Sequence, residues 1–451
     1  MAEIKIQLPQ KAKHIINTIT SAGFEAYAVG GCIRDSILGR EPQDWDITTS
    51  AKPDQVKILF PRTVDTGLQH GTVTVLLGGE SFEVTTFRID GKYEDNRHPK
   101  EVVFTPSLEE DLKRRDLTIN AMAYNDSHGL VDIYGGMEDI RRKVIRCVGS
   151  PAERFGEDAL RILRTIRFSA QLGYSIDEGT RRAVSELAPN LKNISAERIQ
   201  AELIKLMTSP HPDYLREAYR CGVTKVILPE FDLTMETEQN HPHHCYSVGE
   251  HILHSLPEIK PDKTLRLAML FHDIGKPATI VKDSSGITHF YGHAKASADL
   301  AGQIMRRLKF DNDTRNMVSK LVLNHDFGSD VKPDLRILRR AVNKIGEDAF
   351  PDLFLVKRAD VLAQSGYLRQ EKLDQLERWQ ELYQELQEKN QCVSLKTLAI
   401  TGSDLIRLGM KPGRQLGDIL TRLLEQVLEE PERNTKEYLS AQAEKMISGT
   451  L

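Results

Sequence analysis

The stretch GGCIRDSILGREPQDWDITT (Gly30–Thr49) decides how the rest of the chain is read. An apolar run, EAYAV, ends in the Gly30-Gly31 pair, and a short helical pattern, Cys32–Leu38, follows. Glycines at that junction let phosphate oxygens approach backbone N–H groups. In Asp44-Trp45-Asp46-Ile47 the alternation of a strand puts both carboxylates on one face and Trp45 and Ile47 on the other. Two carboxylates about 7 Å apart along a strand can share divalent cations. Such metals, with a glycine-lined approach for a triphosphate, are what phosphoryl transfer to a hydroxyl requires. A third acid is expected on a neighbouring strand, and Glu83, between Phe82 and Val84, is our inference for it; Asp116 is the competitor.

Outward from this stretch, residues 1–140 mix strand patterns (EAYAVGG, GTVTVLLGG, SFEVTTFRI) with helical ones near 8–21, 32–38 and 53–60. Beyond about residue 151 strand signals nearly vanish, and apolar residues recur at three- and four-residue spacing. The expected class is α+β, a small mixed-sheet head followed by an all-α remainder. With 451 residues, several domains are expected. We divide the chain into a head (1–145), a helical neck (146–235), a histidine-rich module (240–368) and a helical tail (369–451).

No run of eighteen apolar residues occurs, so no membrane partner is expected. The first residues lack a signal-peptide pattern, and the five scattered cysteines form no C-x-x-C pair. Both point to a cytoplasmic protein with reduced thiols. Net charge is −4, yet residues 141–220 hold 15 Lys/Arg against 10 Asp/Glu. That block suits either a phosphate backbone or a solvated helical face.

Four motifs occur in order: GGCIRDSILGREPQDWDITT, RRDLTINAMA (114–123), DIYGGMEDI (132–140) and GEDALRILRTIRF (156–168). Together they resemble class II tRNA nucleotidyltransferases (CCA-adding enzymes) and bacterial poly(A) polymerases, of the polymerase-β-like superfamily, over roughly the first 230 residues. The resemblance implies that Asp44 and Asp46 bind catalytic Mg²⁺ and that Gly30, Gly31 and Arg34 meet the triphosphate. It also implies Arg115, Asp116 and Asn120 near the ribose, and Arg164 within the nucleotide site. Asp158 and Arg161, three residues apart, are expected on one face of the helix beginning near Phe155. A carboxylate accepting from an exocyclic amine beside a guanidinium donating to the ring fits cytosine and adenine and rejects uracil and guanine. An ordinary surface ion pair is the alternative. The polar stretch Arg88–Leu112 resembles the loop associated with full C,C,A specificity.

The expected function is therefore CCA addition to tRNA from CTP and ATP. A poly(A) polymerase, a phosphohydrolase with an RNA-binding head, and a non-catalytic RNA-binding protein are the rivals. The segment from His241 to His325, centred on LFHDIGK (270–276), resembles the HD-family phosphohydrolases. That resemblance assigns an unidentified divalent metal to His244, His272, Asp273 and Asp360, with Asp326 as the other candidate acid. His251 shares a helical face with His244, and His293 and His325 match accessory positions. The tail (401–439) resembles the tRNA-binding end of the same enzymes. The oligomeric state stays open.

Overall fold

The computed structural model describes residues 4–90 and 102–448. The chain forms two compact units, one running to Asp232 with Arg307–Lys309, the other comprising Leu233–Arg306 and the chain from Phe310 onward. The boundaries expected at 145/146 and 368/369 fall inside these units.

The first unit opens with α1 (Gln10–Ser21), whose Ala12, Ile15, Ile16 and Ile19 form one buried stripe. It covers a seven-stranded mixed sheet. Five strands are β1 (Ala26–Val29), β2 (Ile47–Thr49), β3 (Thr63–Gly67), β4 (Thr72–Leu77) and β5 (Glu80–Thr86). The order is β3-β4-β5-β2-β1, continued by Ala123–Asn125 and Gly129–Val131. Every pairing is antiparallel except β2 with β5, which run parallel in the register Ile47↔Val84. The helix α2 (Gly31–Ile37) follows β1 directly.

One sequence expectation changes here, and another lies partly outside the described residues. Asp44 and Asp46 were expected within a strand, but β2 begins at Ile47. β1 ends at Val29, whose N–H bonds to Asp46 O at 3.0 Å, and α2 then turns the backbone away. Upstream of Asp46 the ladder therefore has no partner. The expected flexible stretch Arg88–Leu112 is described at its ends only: Arg88–Asp90 pairs antiparallel with Val102–Phe104, and 91–101 lie outside the described residues.

Helix Leu160–Leu172 packs on helix Ala196–Met207. A buried ion pair, Arg167 Nε to Glu202 Oε2 at 2.7 Å, joins them. The helix expected to begin near Phe155 is two helices: Pro151–Glu157 ends at Asp158 (φ −136°, ψ 104°), and the next begins at Leu160. The Asp158 carboxylate accepts from Leu160 N–H at 3.0 Å, so it terminates one helix and caps the next. Asp158 and Arg161 consequently do not share a helical face.

Among the described residues the second unit is helical apart from one short antiparallel ribbon, Ile280–Lys282 with Thr288–Phe290. Its central helix, Lys263–Phe271, is capped by Asp262 and buried at every residue from Leu265 on. A helix apolar all round belongs in the middle of a bundle, and this one ends by delivering His272 and Asp273 into the interior. The C-terminal helices Gly402–Arg407, Arg414–Glu429 and Lys436–Ile447 share a separate core around Leu405, Leu423, Val427 and Leu439. Among the described residues no helix is long and apolar enough to cross a membrane.

Gly275, just after His272-Asp273, approaches the helix His293–Arg307 so closely that a Cβ would lie 2.4 Å from Ser297 N. The obstructing atom is backbone and cannot swing aside. Gly275→Ala is expected to lower stability by about 1–3 kcal/mol and to lower the midpoint of chemical denaturation of the full chain.

Candidate active site and metal groups

In the first unit an open cleft of about 670 Å³ is lined by Gly30, Gly31, Arg34, Asp44, Asp46, Arg115, Asp116, Asn120 and Arg164. Local folding explains how these residues meet. Gly30 has φ +85°, and a Cβ there would stand 3.0 Å from Arg115 Nη1, so only glycine lets Arg115 lie against the backbone at this turn. Arg34 Nη1 donates to Asn120 Oδ1 at 2.7 Å, and Asp35 holds its other side. Asp116 accepts from Arg164 Nε at 2.7 Å and from Asn120 Nδ2 at 3.3 Å. Arg115 is fixed from below by Asp111, a buried carboxylate 3.6 Å away that also binds Arg114 and the Thr48 hydroxyl. Sequence reading missed Asp111; its signal was an acid four residues before Arg115 on a helix.

Asp44 and Asp46 face the cleft while Trp45 packs against the apolar core, as alternation in extended backbone dictates. The β2–β5 register sets Asp46 beside Glu83. The surrounding protein and the Asp44 carboxylate push Asp46 up to about 6, with Glu83 adding and Arg115 opposing. A buried carboxylate whose proton affinity is raised by two acidic neighbours marks a place for a cation. They do not close to within 4.8 Å of one another as a three-ligand group. Asp116, the competing third acid, is committed to Arg164 and Asn120.

Asp158 and Arg161 do not line this cleft. Asp158 is held by Arg198 (Nη2 to Oδ2, 2.7 Å). Arg161 is bound to Glu157 at 2.6 Å and to the Arg114 carbonyl at 2.9 Å. The far wall instead carries Arg167, Phe168, Gln171, Lys205 and Ser209, none foreseen. Phe168 gathers three guanidiniums over its ring: Arg167 at 3.7 Å, Arg34 at 4.9 Å and Arg164 at 5.5 Å.

The second unit holds two groups that could bind metal ions: His251, His272 and Asp360, and Asp273, His293 and His325. Three of the four rings are aimed by their own backbone. His272, His293 and His325 each bond through Nδ1 to the carbonyl three residues earlier, at 2.7, 2.9 and 2.7 Å, leaving Nε2 for the centre. His293 Nε2 and His325 Nε2 then stand 3.3 Å apart, and the buried Asp273 Oδ1 has no hydrogen-bond partner. Opposed imidazole nitrogens beside an orphaned carboxylate oxygen fit a divalent cation. His244 was expected as a ligand and is outside both groups; His251, on the next helix, stands in its place. The backbone turn before Ser247 separates the two residues from a common helical face. Asp360, not Asp326, completes the first group; Asp326 pairs with His293 at 3.1 Å.

The Asp46 position predicts a pH effect. Its folded pKa lies above the ordinary 3.8, so between about pH 4 and 6 the folded chain holds a proton that the unfolded chain has lost. Stability falls as pH rises through that window. In chelator, the melting temperature of Asp46→Asn should gain on the wild type from pH 4.5 to 7.5, and added Mg²⁺ should narrow the gap. A constant gap would refute the carboxylate crowding.

Three family models match the chain: "Poly A polymerase head domain" over 26–146, "Probable RNA and SrmB-binding site of polymerase A" over 173–235, and tRNA nucleotidyltransferase domain 2 over 279–443. The CCA-adding enzyme of Lactobacillus helveticus is 37% identical over 366 residues, covering 77% of this chain and 87% of its own. That of Levilactobacillus brevis is 36% identical over 438 residues, 96% of each chain. The structure of the Bacillus stearothermophilus CCA-adding enzyme in complex with CTP superimposes with a TM-score of 0.73 at 28% identity, over 98% of this chain and 99% of that one. With a polymerase-β-like head carrying the acid-and-arginine cleft and relatives alike over nearly its full length, the chain belongs to the CCA-adding enzyme family of tRNA nucleotidyltransferases.

Proposed function

We propose that this chain adds C, C and A to the 3′ end of tRNA, using CTP and ATP and no template, in the cytoplasm. The observation that carries this reading is the head cleft, where Asp44 and Asp46 face a wall of arginines. Asp44 and Asp46, with Glu83, would hold Mg²⁺, which when bound supplies Lewis-acid stabilisation of the phosphoryl oxygens. Arg34 and Arg115, backed by the Gly30-Gly31 turn, neutralise the triphosphate. Asp116, held by Arg164, and Asn120 orient the ribose. The RNA 3′-oxygen bonds to the α-phosphorus as the bond to pyrophosphate breaks, and the hydroxyl proton leaves to solvent.

In our reading Asp158 and Arg161 select C and A. Their hydrogen-bonding groups are engaged by Arg198 and Glu157, so base reading requires exchanging those partners for the nucleotide. The C-terminal helices, over a core of their own, would bind tRNA.

A second activity, metal-dependent phosphohydrolysis in the second unit, is favoured by the two histidine–aspartate groups.

Three experiments test these readings. With tRNA lacking its 3′ end, CTP alone should extend the RNA and ATP should complete it; no extension with CTP would leave A addition alone. Asp44→Ala with Asp46→Ala should cut extension by about a thousandfold or more and leave any phosphatase activity intact. Elemental analysis after dialysis against Mn²⁺ should find about two tightly held ions per chain, and His272→Ala should remove about one. Equal metal content in that variant would sink the phosphohydrolase reading.

A further inference from the structure

The C-terminal helices pack on one another through an apolar core of their own, to which Leu423, Val427 and Leu428 of the helix Arg414–Glu429 belong. No residue of the neighbouring helix Leu335–Ile345 enters that core. What joins the two is polar. Arg339, on Leu335–Ile345 and only 6% exposed, donates through Nε to Leu428 O at 2.8 Å and through Nη2 to Glu429 O at 3.2 Å. Its Nη1 donates to Gln391 Oε1 at 3.1 Å, one residue before Cys392 begins the C-terminal core. On either side, Arg336 and Arg340 pair with the Glu429 carboxylate.

A helix leaves its last carbonyls without intrahelical partners, and these carry the negative end of its dipole. Arg339 supplies both the donors and the opposite charge at that end. Among the described residues it forms no ion pair, and all three of its bonded partners are neutral oxygens. A guanidinium holds its donors in a rigid fork, so bonds to three points fix an orientation as well as a distance. Apolar contact is non-directional and hydrogen bonds are not. The angle of the C-terminal helices is therefore set at this junction.

The helix Arg414–Glu429 has 16 residues, a rod of about 24 Å. Near its other end Lys411 and Arg414 are exposed and, among the described residues, form no ion pair. Over such a rod, a rotation of about 10° at Glu429 carries those cations by about 4 Å, more than the length of a hydrogen bond.

We propose that Arg339 is a positioning residue for the RNA substrate. It touches no RNA itself; it fixes the angle at which the helix Arg414–Glu429 presents Lys411 and Arg414 to the phosphate backbone. The proposal rests on the reading that the C-terminal helices bind tRNA, and it names the group that aims them.

The test is CTP addition by the full-length chain to tRNA lacking its 3′ end, measured across a salt series. Arg339→Met keeps most of the side chain's length and removes its donors. It should raise the KM for tRNA about tenfold and lessen the slope of log KM against log salt by about 1–2. The kcat and the KM for CTP should stay at wild-type values. A buried arginine can alter that slope only through other cations, whereas simple destabilisation lowers kcat and leaves the slope alone. Lys411→Ala with Arg414→Ala should produce the same rise and the same loss of slope. Adding Arg339→Met to that pair should then change little more. Arg339→Lys keeps a cation at the helix end without the fork, so its KM should fall between wild type and Arg339→Met. It carries the test if the Met variant melts without cooperativity. Wild-type KM and slope in both Arg339 variants would overturn the proposal, as would effects that simply add to those of the Lys411 and Arg414 pair. If that pair leaves KM and slope unchanged, the tRNA-binding reading of these helices fails, and the proposal with it. If the pair acts and Arg339 does not, the positioning role alone fails.

Discussion

The parallel pairing of β2 with β5 is the constraint on which the head depends. All the other strand pairs of its seven-stranded sheet run antiparallel. Only this junction brings the residue preceding β2 alongside the middle of β5, and so sets Asp46 next to Glu83. Burial first, then the Asp44 carboxylate and last Glu83 make a charged Asp46 unfavourable within the protein, as its raised proton affinity shows. A cation would reverse that sign, and it is here that we propose the metal is held. The arrangement is tolerated because the rest of the head, from the buried stripe of α1 to the apolar faces of the sheet, is densely packed around it.

Across the cleft the arginines are organised on the same principle with opposite sign. Asp111 underlies Arg115, Asp116 holds Arg164, Asp35 and Asn120 hold Arg34, and Phe168 presents its face to three guanidiniums. Each cation is oriented before any triphosphate arrives, which lowers the ordering cost of binding. In the second unit the orienting device is the backbone itself. A histidine bonded through Nδ1 to the carbonyl one helical turn back has its other nitrogen aimed, and three such residues converge.

Much of this was legible in the chain. The buried positions of α1 follow a helical period, and the Gly30-Gly31 turn, the Asp44/Asp46 pair and the Glu83 neighbour follow from local pattern. The four ordered motifs carry the family. Where reading failed, the deciding contact lay elsewhere in the chain or turned on a capping choice. Asp158 was read as part of a continuous helix, but its carboxylate caps the next one, a competition that short acidic side chains often win. The far wall of the cleft comes from a helix pair joined by Arg167 and Glu202, 35 residues apart, and no local period marks such a wall.

The sequence by itself determined the α+β class, the helical second half, the family and the residue types of both sites, because periodicity and motif spacing are local properties. Tertiary structure alone decided which atoms meet. It placed His251 and Asp360, and neither His244 nor Asp326, in the first group that could hold a metal, and it drew Arg161 to Glu157 and away from the cleft. A ligand set is defined by distances of a few ångströms between side chains up to a hundred residues apart, and only the packed helices and the carbonyls that aim each ring set those distances.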